Sequence, residues 1–104
     1  MGWKLLRRSW LLRIKVIMAD PVIENLTADT WTKVATNKTS GQVHILNGLP
    51  RNYIHTYRDT GGAAPTLASE GVSFKGITEE IVASTGIDVY VMALNAAGSV
   101  RVDL

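Results

Sequence analysis

The side chains of this sequence that could do chemistry are two histidines and one adjacent pair of glutamates. His44 and His55 are the only histidines, and neither has an acidic residue two positions later, the spacing that would complete a local metal pair on a strand. Glu79 and Glu80 are neighbours, so in a strand their carboxylates point to opposite faces and do not flank one bond. We therefore expect structural or solvent-exposed roles for all four residues.

Other chemical motifs are missing from the sequence. It contains no Gly-x-Ser-x-Gly elbow, and no serine has a recognisable base near it. Gly61 and Gly62 lack the spacing of a phosphate-binding loop and precede alanine and proline instead of a helix. The absence of cysteine excludes zinc ribbons and thiol chemistry. The sequence therefore predicts a protein that is not an enzyme and has no metal ion or cofactor, and a small enzyme is the least supported function class.

Three aromatic residues, Trp31, Tyr53 and Tyr57, are compatible with two interpretations. In one, they form an exposed platform on which a sugar or single-stranded nucleic acid stacks. In the other, they lie in the core, as aromatic residues at strand spacing more often do. Because Trp31 has β-branched neighbours on both sides, we predict that it is buried in the core.

Short strands separated by turn residues must position these side chains. Residues 30–36 and 42–47 are strand-like, and the turn-forming run 37–41 between them predicts a hairpin. Residues 53–58 predict a third strand, and 72–75 and 80–83 are weaker strand candidates.

The strongest strand prediction is residues 87–94, which are apolar on both faces and therefore central in the sheet. A short loop that contains Gly98 leads to a partner strand that buries Val100, Val102 and Leu104. Together these patterns predict an all-β fold, a small antiparallel β-sandwich or barrel of about six to eight short strands.

The charge of the chain changes at Met18. Residues 1–17 contain five basic residues and no acid, whereas residues 18–104 contain six basic and nine acidic residues. We therefore divide the chain into a basic extension, residues 1–17, and a β domain, residues 18–104. A domain of this size has a free energy of unfolding on the order of 5 kcal/mol, so oligomerisation would help to stabilise it.

The basic extension has no secretion signal or transmembrane segment, because Arg13 and Lys15 interrupt its apolar run and it is too short to span a bilayer. Three interpretations stay open. In the first, the extension is a non-native upstream segment, because the residues from Met18 onward resemble the ordinary start of a protein. In the second, it is an arm that contacts nucleic acid or a membrane. In the third, it docks on a partner. The residues of such a docking extension are Trp3, Arg7, Arg8, Trp10, Arg13 and Lys15.

Three segments of the β domain resemble a known family. They are TWTKVATN at 30–37, YRDTGGAAP at 57–65, and an ending made of DVYV at 88–91 with GSVRVDL at 98–104. These segments resemble small β-rich virion structural proteins of tailed bacteriophages. The basic extension has no counterpart in that pattern.

The resemblance implies a non-enzymatic β module that decorates or joins head, neck or tail components of the virion. Its expected partners are other virion proteins or further copies of itself on a symmetric particle, and its expected location is the virion, assembled in the host cytoplasm. The competing hypothesis is a carbohydrate-binding or host-surface adhesion module. That hypothesis requires Trp31, Tyr53 and Tyr57 to be exposed on one surface.

Overall fold

Six β-strands make up most of the structure, a computed structural model that describes residues 21–104. The strands are β1 (Val22–Leu26), β2 (Thr32–Ile45), β3 (Tyr53–Asp59), β4 (Val72–Ser73), β5 (Thr78–Ala93) and β6 (Gly98–Asp103). Single turns of 3-10 helix occur at Pro50–Asn52 and Ala68–Glu70. Within residues 21–104, no helix is long and apolar enough to cross a membrane. The docking residues proposed within the basic extension lie outside the described residues.

All six strands belong to one antiparallel sheet with the order β1-β6-β2-β5-β3-β4. The predicted all-β antiparallel fold is confirmed. Two of its strands are long, however, because β2 contains 14 residues and β5 contains 16.

The sheet is folded back on itself, as a contact between β3 and β5 demonstrates. His55 of β3 is paired in register with Val91 of β5, yet its Nε2 atom lies 3.4 Å from Oε2 of Glu79, twelve residues earlier on the same strand. A straight strand of that length would separate the two positions by about 40 Å. The first half of β5 therefore faces its second half across the core, in the manner of a sandwich whose layers share strands.

The fold-back occurs at a corner where β2 and β5 change register. Lys38 pairs with Ile87 and Ser40 with Val82, so two steps along β2 match five along β5. Asn37 has a φ of 55° at this corner, and a Cβ on Gly86 would overlap the Asn37 side chain. The predicted hairpin is wrong, because the turn-forming residues at 37–41 accommodate bulges in one continuous strand.

The core lies between the two halves of the folded sheet. Its fully buried members come from both long strands and from β6, and they include Val43, Ile81, Val89, Val91, Val100 and Val102. The second half of β5 runs between β2 and β3, so the prediction of a central strand is confirmed.

A loop of residues 60–71, the covering loop, packs on the other face of β3 and β5. Its Gly71 lies against Ile54 and Trp31, and Trp31 Nε1 donates a hydrogen bond of 3.2 Å to the carbonyl of Leu67. Backbone N–H groups of Leu67 and Thr66 donate to Glu70 and lower its pKa to about 2. This loop explains why residues 87–94 are apolar on both faces.

The final strand differs from its prediction in two respects. β6 pairs with β1 and β2 and not with the second half of β5. β2 and β3 already occupy both sides of that part of β5. Val100 and Val102 are buried as predicted, but Leu104 is 38% exposed because it follows the last paired residue, Asp103. The positive φ in the preceding loop occurs at Asn95, with a value of 67°.

Gly98 is required for space and not for backbone conformation. A Cβ at this position would overlap the hydroxyl of Tyr53, which is buried and donates to the Asn47 carbonyl at 2.6 Å. We expect Gly98→Ala to lower the free energy of unfolding by about 1–3 kcal/mol through overpacking. Gly76→Ala is the matched control, since its Cβ would meet no atom within 4 Å. Urea denaturation with equal midpoints for the two variants would contradict this prediction.

Candidate functional site

Asp88 is the most deeply buried charged residue in the described part of the chain, at 1% exposed. Its Oδ1 accepts hydrogen bonds from the Asn37 backbone N–H at 3.0 Å and the Thr60 hydroxyl at 3.2 Å. Its Oδ2 accepts from the Gly61 backbone N–H at 3.4 Å and lies 3.5 Å from Lys33 Nζ. These donors come from β2, from the β2 corner and from the start of the covering loop.

The Asp88 carboxylate is a structural anchor. The Asn37 N–H is the main cause that lowers its pKa, and Gly61, Lys33 and Thr60 contribute in the same direction against the effect of burial. A carboxylate offers about four lone-pair positions, and four donors from the protein surround this one. These contacts join β2, its corner and the start of the covering loop.

His55 lies inside the folded sheet beside Glu79 and two aromatic rings. Its ring packs edge-on against Phe74, with centroids 5.1 Å apart, and lies 5.5 Å from the Tyr57 ring. Burial lowers the pKa of His55, against the opposing effect of Glu79, and burial raises the pKa of Tyr57. Neither ring nitrogen of His55 makes a hydrogen bond to the described residues. The His55 ring is therefore chiefly a packing group.

A polar cluster lies on the outward side of β1, β6, β2 and the first half of β5. Register partners share a face of an antiparallel sheet, and the residues between them, such as Val43 and Val102, point into the core. We call this surface the outer face. Its residues are Ile23, Gln42, His44, Thr78, Glu80, Val82, Arg101 and Asp103.

His44 connects three strands at the centre of the outer face. Its Nε2 lies 2.9 Å from Asp103 Oδ2, and its Nδ1 lies 2.8 Å from the Thr78 hydroxyl. A carboxylate only accepts, so Nε2–H donates to Asp103 and, in the neutral ring, Nδ1 accepts from Thr78. Arg101 donates to the same Asp103 oxygen at 3.1 Å. The network joins four side chains on β2, β5 and β6.

Exposed apolar side chains flank this polar network. Ile23 on β1 is 62% exposed and Val82 on β5 is 74% exposed, one on each side of His44. Surfaces that contact other proteins contain both exposed apolar side chains and polar groups that form hydrogen bonds.

The contacts of Thr78, His44 and Asp103 also match those of a nucleophile, a base and an orienting acid. Acyl transfer would further need a pocket and hydrogen-bond donors for an oxyanion beside Thr78. A cavity of about 90 Å³ lies at Asn47, Tyr53 and Ala97 instead, and none of the three network residues lines it. The three side chains form a hydrogen-bonded chain on the outer face.

The three aromatic residues of the predicted stacking platform do not share one exposed surface. Tyr53 is 3% exposed and belongs to the core, so its ring is not accessible. Tyr57 is half-buried on the same inner side and donates to the Glu80 carbonyl at 3.3 Å. Trp31 packs on the covering loop and precedes β2; it is half-buried, so its predicted place in the core is wrong.

Sequence reasoning missed the outer face because its contacts are distant along the chain. Thr78 and Asp103 lie 34 and 59 residues from His44, whereas spacing along one strand indicates partners only at nearby positions. Strand alternation at 42–46 and 100–104 was the only available signal, since it places His44 and Asp103 opposite the buried valines. Among the described residues, no group of three or more potential ligands could hold a metal ion.

Comparisons of the chain with family models, with curated proteins and with solved structures find no match. Fold and site therefore define the class: an all-β domain with one folded antiparallel sheet and a polar, hydrogen-bonded outer face.

Replacing Asp88 by asparagine tests the anchor role with almost no change in shape. The NH2 group of asparagine is a donor, and it would face groups that now donate hydrogen bonds to the carboxylate. We therefore expect the melting temperature to fall by about 10 °C or more. Because the folded pKa lies below its ordinary value of 3.8, the stability from ionised Asp88 is full above that value and is lost as pH falls through the folded pKa. The difference between wild type and variant should therefore shrink in acid. Equal melting curves at pH 7 would contradict the anchor role.

The burial of His55 predicts a second pH dependence. Its folded pKa lies below 6.5, so as pH falls through 6.5 the unfolded chain binds a proton first and stability decreases. His55→Phe keeps the ring packing against Phe74 and removes this titration. We expect the melting temperature of wild type to fall more between pH 7.5 and 5.5 than that of the variant. Identical decreases would contradict the assignment.

Proposed function

We propose that this chain is a non-enzymatic structural protein of a tailed-bacteriophage virion, a β module that decorates or joins head, neck or tail components. Its partners are other virion proteins and further copies of the same chain. The observation that carries the proposal is the outer face, where an oriented polar network is flanked by exposed Ile23 and Val82. Such a surface suits contacts between proteins.

The segments that resemble virion proteins meet at one place in the fold, which supports the proposal. Lys33 and Asn37 belong to the first segment, Thr60 and Gly61 to the second, and Asp88 begins the third; all five take part in the Asp88 cluster. The resemblance therefore lies in residues that determine the fold.

The size of the outer face fits a contact that is repeated many times. Four strands spaced about 4.8 Å apart and four residues long cover roughly 250 Å², well below the ~800 Å² that each partner buries in a stable pair. A small contact gains strength when many copies act together on a symmetric particle. This matches a small domain that works as one of many subunits.

The carbohydrate-binding alternative loses its main support. It required three aromatic rings on one exposed surface, and Tyr53 is buried in the core while Trp31 packs on the covering loop. No observation favours it over a protein-binding role.

Mass spectrometry of native particles tests the proposal directly. We expect particles from the natural source to contain the β domain in multiple copies. Ile23→Asp, on the outer face, should reduce incorporation into particles while the purified protein keeps its melting temperature. Leu67→Asp is the matched control, because Leu67 is 63% exposed on the covering loop. Particles without the protein, or equal incorporation of both variants at wild-type level, would count against the proposal.

A further inference from the structure

The turn after β2 contains the only Asn-Gly pair of the sequence, Asn47 and Gly48. The side-chain amide of an asparagine lies close to the backbone nitrogen of the next residue, and attack by that nitrogen closes a five-membered ring within the chain. Glycine has no side chain to obstruct the approach. Asn47 and Gly48 are both exposed in the structure, so water reaches the atoms that would react.

A backbone group of β6 polarises the Asn47 amide. The Ser99 N–H donates a hydrogen bond of 3.1 Å to Asn47 Oδ1. Because this oxygen accepts a bond, electron density is drawn away from Cγ, the atom that would be attacked. The same donor is already in place for the negative charge that attack puts on Oδ1, which is how an oxyanion is stabilised.

The hydroxyl of Tyr53 lies against both oxygens of Asn47. It is 2.6 Å from the backbone carbonyl and 2.7 Å from Oδ1, and its ring is fixed in the core. A hydrogen bond to the backbone carbonyl polarises the peptide that contains the Gly48 N–H and makes that N–H more acidic. A hydrogen bond to Oδ1 adds to the effect of Ser99. The Tyr53 proton therefore favours attack by the Gly48 nitrogen in either position.

The attacking and leaving groups are both free of hydrogen bonds to other residues in the range 21–104. The Gly48 N–H donates to no backbone carbonyl there. The hydrogen bonds of the Asn47 side chain involve Oδ1 and leave Nδ2 without a partner. The reaction therefore breaks no contact that holds the nitrogen atoms in place.

We propose that Asn47 is a modification site at which the fold promotes loss of the side-chain amide as ammonia. The Gly48 nitrogen gives its proton to water or hydroxide and bonds to Asn47 Cγ. The Cγ–Nδ2 bond then breaks, and ammonia leaves with a proton taken from water, so a cyclic succinimide remains. Water adds to either carbonyl of this ring and opens it to aspartate or to isoaspartate, in which the chain continues through the former side chain.

The products differ from the original chain in charge. An aspartate at position 47 keeps an oxygen that accepts from Ser99, whereas isoaspartate also adds one carbon to the backbone of the turn. Each product carries one more negative charge beside the cavity that Asn47 lines with Tyr53 and Ala97. This inference goes beyond the proposed function and does not depend on it, since the reaction needs only water and the folded chain.

Incubation of the folded wild-type protein at mildly alkaline pH tests the site. We expect a mass increase equal to the replacement of NH by O, and peptide mapping should place it at position 47 as a mixture of aspartate and isoaspartate. Asn95 is the internal control, because it is also exposed in a loop but precedes Ala96. Asn47→Gln should remove the change, since its longer side chain closes a ring more slowly. No mass increase in the wild type, or equal modification of Asn95, would overturn the proposal.

Reaction rates in the folded and unfolded chain test the role of the fold. Urea removes the contacts with Ser99 and Tyr53, so folded wild type should react several-fold faster than the unfolded chain at the same pH. Tyr53→Phe should lower the folded rate and leave the unfolded rate unchanged. Tyr57→Phe is the matched control, because its hydroxyl bonds to the Glu80 carbonyl instead, and it should keep the wild-type rate.

Two outcomes would refute the contribution of the fold. One is a folded wild type that reacts no faster than the unfolded chain, and the other is a folded Tyr53→Phe that reacts at the wild-type rate. Circular dichroism checks that each variant is folded. If Tyr53→Phe does not fold, the comparison of folded with unfolded wild type decides alone.

Discussion

The fold depends on keeping one carboxylate ionised inside the protein. An isolated buried charge is unstable unless hydrogen bonds and an opposite charge replace its lost water, and Asp88 receives both from three separate parts of the chain. These contacts fix the corner where β2 bends and the point where the chain leaves β3. Without them, two strands of 14 and 16 residues would have no fixed place at which to fold back. The Asp88 cluster thus determines where the core lies.

The sequence predicts the parts of this structure that depend on local pattern. Residues 87–94 are apolar on both faces, and the structure covers both, one with the core and one with the covering loop. Val100 and Val102 are buried because apolar and polar residues alternate along β6. The corner could not be predicted, because Asn37 and Gly41 have turn-forming chemistry whether they close a hairpin or form a bulge. What decides between these outcomes is contact with Asp88 and Gly86, about fifty residues away.

The two faces of the sheet explain why a candidate site was visible only in the structure. In the second half of β5 both faces are covered, so its polar groups serve the fold. In the first half only one face is covered, and His44, Thr78 and Asp103 meet on the other. Their side chains look ordinary in the sequence, since exposed polar residues alternate in any half-buried strand. The register between strands, which local patterns do not specify, turns them into a network.

The pairing of β2 with β5 also governs how the chain acquires its structure. Thr32 pairs with Val91, fifty-nine positions later, and β6 and β3 pair in turn with these two strands. Chains dominated by such distant pairings pay the entropy of closing a long loop before they gain contacts, and they fold in milliseconds to seconds. On the ribosome, β2 emerges long before its partner and has no neighbour to satisfy its backbone. Folding must therefore wait until nearly the whole domain has been synthesised, and it then proceeds as one cooperative event.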